Sequence, residues 1–154
     1  MSENSESSSK SRIEALAQFR YALRRFLHFS EEAATEAGLT PQQHQLLLQI
    51  QGTPQSEVAS IGYLAERLVL RHNSVVELSN RCEKAGLVTR TSDPANRRHV
   101  VLRLTAQGEG LLQSLSDAHA NELHELGPRL VESLHAITDQ TVQGTTERAS
   151  DDAK

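Results

Sequence analysis

The chain has 154 residues, a net charge of −4 and a hydrophobic content of 37%, which together predict one ordinary domain with a real core. It contains no apolar run of the roughly 20 residues that cross a bilayer, and its first residues, MSENSESSSKS, lack the apolar centre of a signal peptide. A single cysteine, Cys82, excludes an intrachain disulfide framework. We therefore expect a cytoplasmic protein without a membrane partner.

The first third of the chain predicts a polar tail followed by two helices. Residues 1–11 have too little apolar surface to offset the entropy of ordering, so we expect a disordered tail. Apolar residues at spacings of three and four predict a long helix over residues 12–38, which ends at Gly38. Thr40 as N-cap and Pro41 as the first helical residue begin the next helix. The residues expected on one apolar face of the first helix are Ile13, Leu16, Phe19, Leu23, Phe26 and Leu27, and the expected core face of the second comprises Leu46, Leu47 and Ile50.

Two short helices come next. Ser60 caps the first of them, which runs to about Leu68. The second covers about residues 73–84 and stops before Gly86. Its expected inward face comprises Val75, Leu78 and Cys82.

Two strands with a basic turn between them complete this segment. Residues 87–91 and 100–104 predict the strands, and residues 93–96 have the composition of a turn. The order helix, helix, strand, turn, strand is that of a winged helix-turn-helix. Residues 60–105 contain eight Lys and Arg against four Asp and Glu, a balance of +4, whereas the rest of the chain carries −8. A basic segment on an acidic chain is the charge pattern of a DNA-binding face.

The last third predicts two further helices and a second polar tail. Thr105 caps a long helix, Gly127-Pro128 interrupts it, and a last helix leads to a polar tail at residues 143–154. The outer helices, at the N-terminus and over residues 106–142, carry more apolar surface than a small winged-helix core covers. We therefore expect a homodimer, in which a two-fold axis buries these faces against a second copy.

Three segments resemble the MarR family of bacterial transcriptional regulators: LTPQQHQLLLQI, SIGYLAERLVLRHNSVVELSNRCEKAGLVTR and DPANRRHVVLRLTAQG. The resemblance is close over residues 39–110. It implies a mainly α fold with a small β-wing, in which residues 39–105 form the winged helix-turn-helix domain and the outer helices form the dimer. It also implies a homodimer that binds a pseudo-palindromic double-stranded DNA operator, usually as a repressor released by a small ligand.

Enzymatic chemistry finds no support in the residues. No Ser/His/Asp order, phosphate-cradling glycine loop or paired metal motif with specific spacing can be assembled from this sequence. We therefore expect a protein that is not an enzyme and has no cofactor.

Two positions depart from the family pattern. The family usually has Asp-x-Arg in the wing, where the acid helps to hold an arginine that enters the minor groove, whereas this chain has Asn96, Arg97 and Arg98. An amide holds a guanidinium less strongly than a carboxylate, so we expect Arg98 to be less preorganised, with Arg97 or Asp93 compensating. Glu77 stands in the recognition helix where many members have a basic or neutral residue, and it can accept a hydrogen bond from cytosine while repelling phosphate.

The expected DNA contacts lie on the recognition helix, on the first strand and at the tip of the wing. The first residues of a recognition helix reach base edges, and two adjacent guanidiniums suit a narrow minor groove. Asn73 has the alternative role of a helix cap. Arg81 and Arg90 are expected to contact the phosphate backbone, and their alternative role is an ion pair with Glu77 or Glu83. The alternative for the wing is a loop that is exposed without binding DNA. The predicted set is Arg71, His72, Asn73, Ser74, Glu77, Arg81, Arg90, Arg97 and Arg98.

The resemblance also implies an effector site between the dimerisation helices and the winged domain. Aromatic side chains beside one or two cations suit an amphipathic carboxylate or phenol. The alternatives are that Phe29 is a core residue, that the arginines are solvated or paired with acids, and that His44 is a buried histidine. The predicted set is Tyr21, Arg24, Arg25, His28, Phe29 and His44.

Three other readings stay open. Zinc is the signal in one branch of the family, and His44 stands where that branch has a ligand. His119 and His124, however, are five residues apart. Their side chains therefore diverge by about 140° on a helix, unlike a pair four residues apart that converges on one ion. Oxidation of Cys82 is a second reading, although peroxide sensors of the family carry their reactive cysteine in the first helix. The third is a winged-helix module that binds protein instead of DNA. We predict no metal ligand.

Overall fold

The computed structural model describes residues 2–151, with side chains described for residues 9–139. Its elements are α1 (Ser2–Glu36), α2 (Pro41–Gln51), α3 (Ile61–Leu68), α4 (His72–Lys84), β1 (Val88–Ser92), β2 (Val100–Leu104) and α5 (Ala106–Asp151). They form two compact units. The helical unit contains the described residues up to Phe29 and those from Ala120 onward, and the winged unit comprises Ser30–His119.

Capping residues set the starts of α2 and α3. Thr40 Oγ1 accepts from the Gln43 N–H at 3.2 Å, and Gln43 Oε1 accepts from the Thr40 N–H at 2.9 Å, so a reciprocal capping box precedes Pro41. Ser60 Oγ accepts from the Tyr63 N–H at 3.2 Å and begins α3. Both predicted helix starts are confirmed.

The turn between α3 and α4 is built without glycine. Val69 adopts the left-handed region with φ 54°, and its side chain is 90% exposed. The Val69 and Leu70 N–H groups donate to the carbonyls of Glu66 and Ala65, which closes the helix end. A β-branched residue in this region costs about 1–2 kcal/mol, so the turn holds local strain.

The core of the winged unit consists mainly of side chains from α2, α3, α4 and the sheet. The predicted inward residues of α2 and α4 are confirmed, since all are buried. The largest fully buried side chains are Leu46, Leu47, Leu64, Leu78, Leu102, Val75, Val88, Cys82 and Ser79.

The sheet is a small antiparallel hairpin. It pairs β1 with β2 from Val88 opposite Leu104 to Ser92 opposite Val100, which places β1 one residue later than predicted. A bridge between Ser60 and Val101 attaches the start of α3 to the outer side of β2. The hairpin is therefore held on the start of α3 close to its turn.

The start of α5 is held against the residues between α4 and β1. Thr105 Oγ1 donates to the Gly86 carbonyl at 2.6 Å and accepts from the Gly108 N–H at 3.1 Å, so it caps α5 as predicted. Gly108 packs on the backbone of Leu87, because a Cβ at this position would lie 2.2 Å from the Leu87 carbonyl oxygen.

The predicted interruption at Gly127-Pro128 is wrong, because α5 passes through it without a break. Proline removes one backbone donor and costs about 3 kcal/mol inside a helix; the regular hydrogen bonds on both sides and the burial of Leu126 and Ser133 oppose this cost. The helices also extend into the expected tails, since α1 begins at Ser2 and α5 ends at Asp151. Extending an existing helix needs no new nucleus, and residues 2–11 contain no Gly or Pro to stop it.

The helical unit leaves apolar side chains in contact with solvent. The large apolar side chains that are at least 43% exposed are Ile13, Leu16, Tyr21, Leu27, Val131 and Leu134. None of the helices is apolar over enough of its described residues to cross a membrane.

Candidate nucleic-acid interface

Helix α4 has one buried face and one exposed polar face. Val75, Leu78 and Cys82 are buried, because spacings of three and four residues place them on one side of the helix. The helix begins at His72 with Arg71 as N-cap, so Asn73 lies inside the first turn and its alternative role as the cap is wrong. The exposed residues of this helix include the predicted DNA contacts His72, Asn73, Ser74, Glu77 and Arg81.

The first turn of α4 presents open backbone donors. Arg71 is exposed, and its side chain makes no capping hydrogen bond. The N–H groups of a first helical turn have no partner within the helix, and they bind anions readily. The start of α4 therefore suits contact with DNA phosphates.

The turn of the wing is held by its own hydrogen bonds. Asp93 is buried, and its Oδ1 accepts from the Ala95 N–H at 2.9 Å. The Asp93 N–H donates to the His99 carbonyl at 2.9 Å, which closes the loop at its base. This arrangement leaves Arg97 and Arg98 exposed at the tip.

Asn96 holds the backbone of Arg98 rather than its guanidinium. Its Oδ1 accepts from the Arg98 N–H at 3.2 Å. Within residues 9–139, no hydrogen bond or ion pair is made by the guanidinium of Arg97 or Arg98. The amide at position 96 thus shapes the turn, and the two guanidiniums stand free for a polyanion.

Arg90 differs from the other predicted contacts because its side chain lies against α4. It is 27% exposed, and its Nε lies 3.4 Å from Glu83 Oε2. The predicted alternative of an ion pair with Glu83 therefore applies to Arg90. Arg81, by contrast, is exposed on α4.

Two of the predicted effector residues, Tyr21 and Arg25, line a cavity of about 390 Å³ in the helical unit. Arg24, His28 and Phe29 are not among its lining residues. Sequence reasoning missed the contribution of α5, although residues 126, 129, 133 and 136 follow a helical spacing of three and four. The lining comprises Ala15, Gln18, Tyr21, Ala22, Arg25, Leu126, Arg129, Glu132, Ser133 and Ala136.

His44 belongs to the winged unit and is not among the residues that line that cavity. It is 3% exposed, and its ring centroid lies 4.9 Å from that of His119. Burial and the neighbouring His119 lower the pKa of His44, so the neutral ring is favoured. The described residues contain no group of three His, Cys, Asp or Glu side chains that could hold a metal, whereas zinc sites use three or four protein ligands.

Acidification is expected to destabilise the fold through His44. Because the folded-state pKa lies below the unfolded value of 6.5, the unfolded chain binds more protons, and stability is lost as pH falls below about 6.5. One proton changes the free energy of unfolding by at most about 1.4 kcal/mol per pH unit. Urea denaturation between pH 7.5 and 5 should show that the free energy of unfolding decreases more steeply in the wild type than in His44→Leu. An equal loss in both would contradict this role, and His124→Gln, at an exposed histidine, is the matched control.

Cys82 belongs to the core of the winged unit. It is fully buried, and burial raises its pKa to about 11. The thiol therefore stays protonated near neutral pH, which disfavours reaction with oxidants because the thiolate is the reactive form.

Comparison with known proteins shows a family to which the winged unit is similar. The model of the MarR family matches residues 37–99. A curated relative from Thauera aromatica, described as a transcriptional regulatory protein for the hcr operon, is 27% identical over 105 residues. The alignment covers 68% of this chain, and the chain spans 61% of that relative's length.

Solved structures share the fold. MepR from S. aureus, in a complex with DNA, superposes with a TM-score of 0.63 at 19% identity, over 86% of this chain and 94% of MepR. CouR from Rhodococcus jostii RHA1, bound to p-coumaroyl-CoA, superposes with a TM-score of 0.58 at 21% identity, over 73% of this chain and 83% of CouR. At these identities the structures establish the fold alone, and they confirm the predicted mainly α architecture with a small β-wing.

Proposed function

We propose that this chain, whose residues 37–99 match the model of the MarR family, is a homodimeric repressor of transcription that binds a pseudo-palindromic double-stranded DNA operator. One observation carries the proposal: the polar face of α4 and the guanidiniums of Arg97 and Arg98 are exposed on the same unit. In this proposal the first residues of α4 contact base edges in the major groove, and the wing enters the adjacent minor groove. The similarity to transcriptional regulators also supports the prediction that the chain is not an enzyme.

The proposed dimer rests on the exposed apolar side chains of the helical unit. Ile13 is 62% exposed and Val131 is 52% exposed, and such surface is usually covered in a stable assembly. A second copy covers it with the same surface and gives the assembly two recognition helices. In dimers of this kind these helices lie about 34 Å apart, one turn of DNA.

The proposed effector site is the cavity of the helical unit. Arg25 and Arg129 line it with Tyr21, and neither guanidinium has a hydrogen bond or ion pair within residues 9–139. An anionic molecule with an apolar body fits two cations beside a phenol and buried Leu126. CouR, which has the same fold, is bound to p-coumaroyl-CoA. In this proposal the bound molecule releases the repressor from its operator.

The test is binding of the purified protein to fluorescent duplexes from the region upstream of its own gene. We expect saturable binding by two chains per duplex, with an affinity that falls steeply as salt rises, because each neutralised phosphate contributes about −0.9 to the logarithmic slope. An unlabelled duplex of the same region should compete far better than a shuffled one. The alternative of a protein-binding module predicts no salt-sensitive binding to any double-stranded fragment.

A further inference from the structure

Arg90 joins the first strand of the wing to the recognition helix. We infer that it is a positioning residue, which holds the wing (β1, β2 and the turn 93–99) on α4 so that both meet DNA as one rigid surface. This inference rests on the proposed DNA binding and assigns Arg90 a role different from phosphate contact.

Four acceptors on α4 surround the Arg90 guanidinium. Its Nη2 donates to Ser79 Oγ at 2.6 Å and to Asn80 Oδ1, with a longer contact of 3.4 Å to the Val76 carbonyl. Its Nε pairs with Glu83 at 3.4 Å. These partners occupy successive turns of one helix, so a single side chain fixes β1 along about two turns of α4.

Ser79 strengthens the junction between β1 and α4, which consists of Arg90 and its partners on α4. It is fully buried, and its hydroxyl donates to the Val76 carbonyl at 2.8 Å while it accepts from Arg90. Removing Arg90 leaves the hydroxyl and the neighbouring Asn80 without their cationic donor. The buried hydroxyl then keeps its hydrogen bond to the Val76 carbonyl but loses the charged donor, and hydrogen bonds from a charged donor are the stronger ones.

The register of the hairpin carries this restraint to the tip of the wing. Arg90 lies opposite Leu102 on β2, and Leu102 is buried in the core. Beyond Arg90, the strands continue to Ser92 and Val100, and the turn that presents Arg97 and Arg98 begins directly after them. Any tilt of β1 against α4 therefore moves both exposed guanidiniums relative to the recognition helix.

Two substitutions test the junction, one on β1 and one on α4. Arg90→Ala removes the cation, whereas Asn80→Ala removes an acceptor on α4 and leaves every charge in place. Hydrogen exchange of the wing amides needs no DNA, so it tests the junction even if the proposed function fails. We expect exchange in residues 88–104 to rise about tenfold in both variants, with α2 unchanged; Arg103→Ala, at an exposed arginine opposite Thr89, should leave the wing unaffected.

DNA binding then separates positioning from phosphate contact. We expect the affinity to fall about tenfold or more in Arg90→Ala and Asn80→Ala with an unchanged salt slope. The additional loss caused by Arg98→Ala should shrink in either background, because a loose wing no longer places Arg98. Arg90→Lys, which keeps a donor to Ser79 or Asn80, should recover part of the affinity.

Three results would overturn the inference. One is a slope of log affinity against log salt that becomes less steep by about 0.9 for each Arg90 removed, because each lost phosphate contact reduces the slope by that amount. Another is unchanged wing exchange in Asn80→Ala. The third is a full, additive loss from Arg98→Ala in the Asn80→Ala background, which remains measurable if Arg90→Ala fails to fold.

Discussion

Replacing Arg98 with alanine is expected to lower the affinity for the operator by about tenfold or more, since a base or groove contact contributes roughly 1–3 kcal/mol. Arg98 is exposed at the tip of the wing, and its backbone is fixed by Asn96. A narrow minor groove attracts such a guanidinium because its negative potential is enhanced. Fluorescence anisotropy at several salt concentrations measures both the affinity and the number of cations involved.

Arg103→Ala is the matched control for this loss. It removes the same charge from β2, opposite Thr89 and away from the tip of the wing, so we expect a small effect. If both variants lose affinity equally, general electrostatic attraction explains the result and a specific role for the wing tip is contradicted. Equal binding by Arg98→Ala and the wild type would remove the wing from the interface.

Replacing Gly108 with alanine is expected to destabilise the protein by about 3 kcal/mol or more. The new Cβ would lie 2.2 Å from the Leu87 carbonyl oxygen, and a backbone atom cannot move aside as a flexible side chain can. Relief would require α5 to shift away from the turn after α4, which breaks the hydrogen bonds of Thr105 to Gly86 and Gly108. Overpacking alone costs about 1–3 kcal/mol, and the lost cap adds about 1 kcal/mol.

Gly110→Ala provides the control within the same helix. A Cβ at Gly110 meets no atom within 4 Å, so this variant should stabilise the helix by about 0.5–1 kcal/mol. Urea denaturation of both variants measures the difference. Equal stability of Gly108→Ala and Gly110→Ala would contradict the close packing of α5 on Leu87.

Helix ends and buried faces could be predicted from the sequence because short-range chemistry determines them. Thr40, Ser60 and Thr105 each cap a helix through a side chain that reaches a backbone N–H a few residues away. Val75 and Cys82 lie on the buried face of α4 because the period of the helix places them there.

Other features depend on tertiary contacts that no local pattern reveals. Arg90 was a candidate phosphate contact, but its partner Ser79 on α4 depends on how the hairpin packs on the helix. Val69 takes the left-handed position that glycine usually fills, because the turn between two packed helices enforces it. Pro128 stays inside α5 because the lost hydrogen bond costs less free energy than the regular helix around it contributes.

The lining of the cavity in the helical unit was likewise predicted only in part. Tyr21 and Arg25 were recognisable as an aromatic side chain and a cation on one helix, whereas Arg129 joins them only because α1 and α5 pack together. Sequence periodicity places residues on a face of their own helix and does not say which face of another helix they meet.

Hydroxyl-radical footprinting of the upstream region is the most direct test of the proposed DNA recognition. Two recognition helices and two wings on a two-fold dimer predict a protected pattern with dyad symmetry, whose halves are about 10 base pairs apart. Protection at the outer minor grooves should disappear in Arg98→Ala while the central pattern persists. Uniform protection, or none at protein concentrations that saturate binding, would contradict sequence-specific recognition by α4 and the wing.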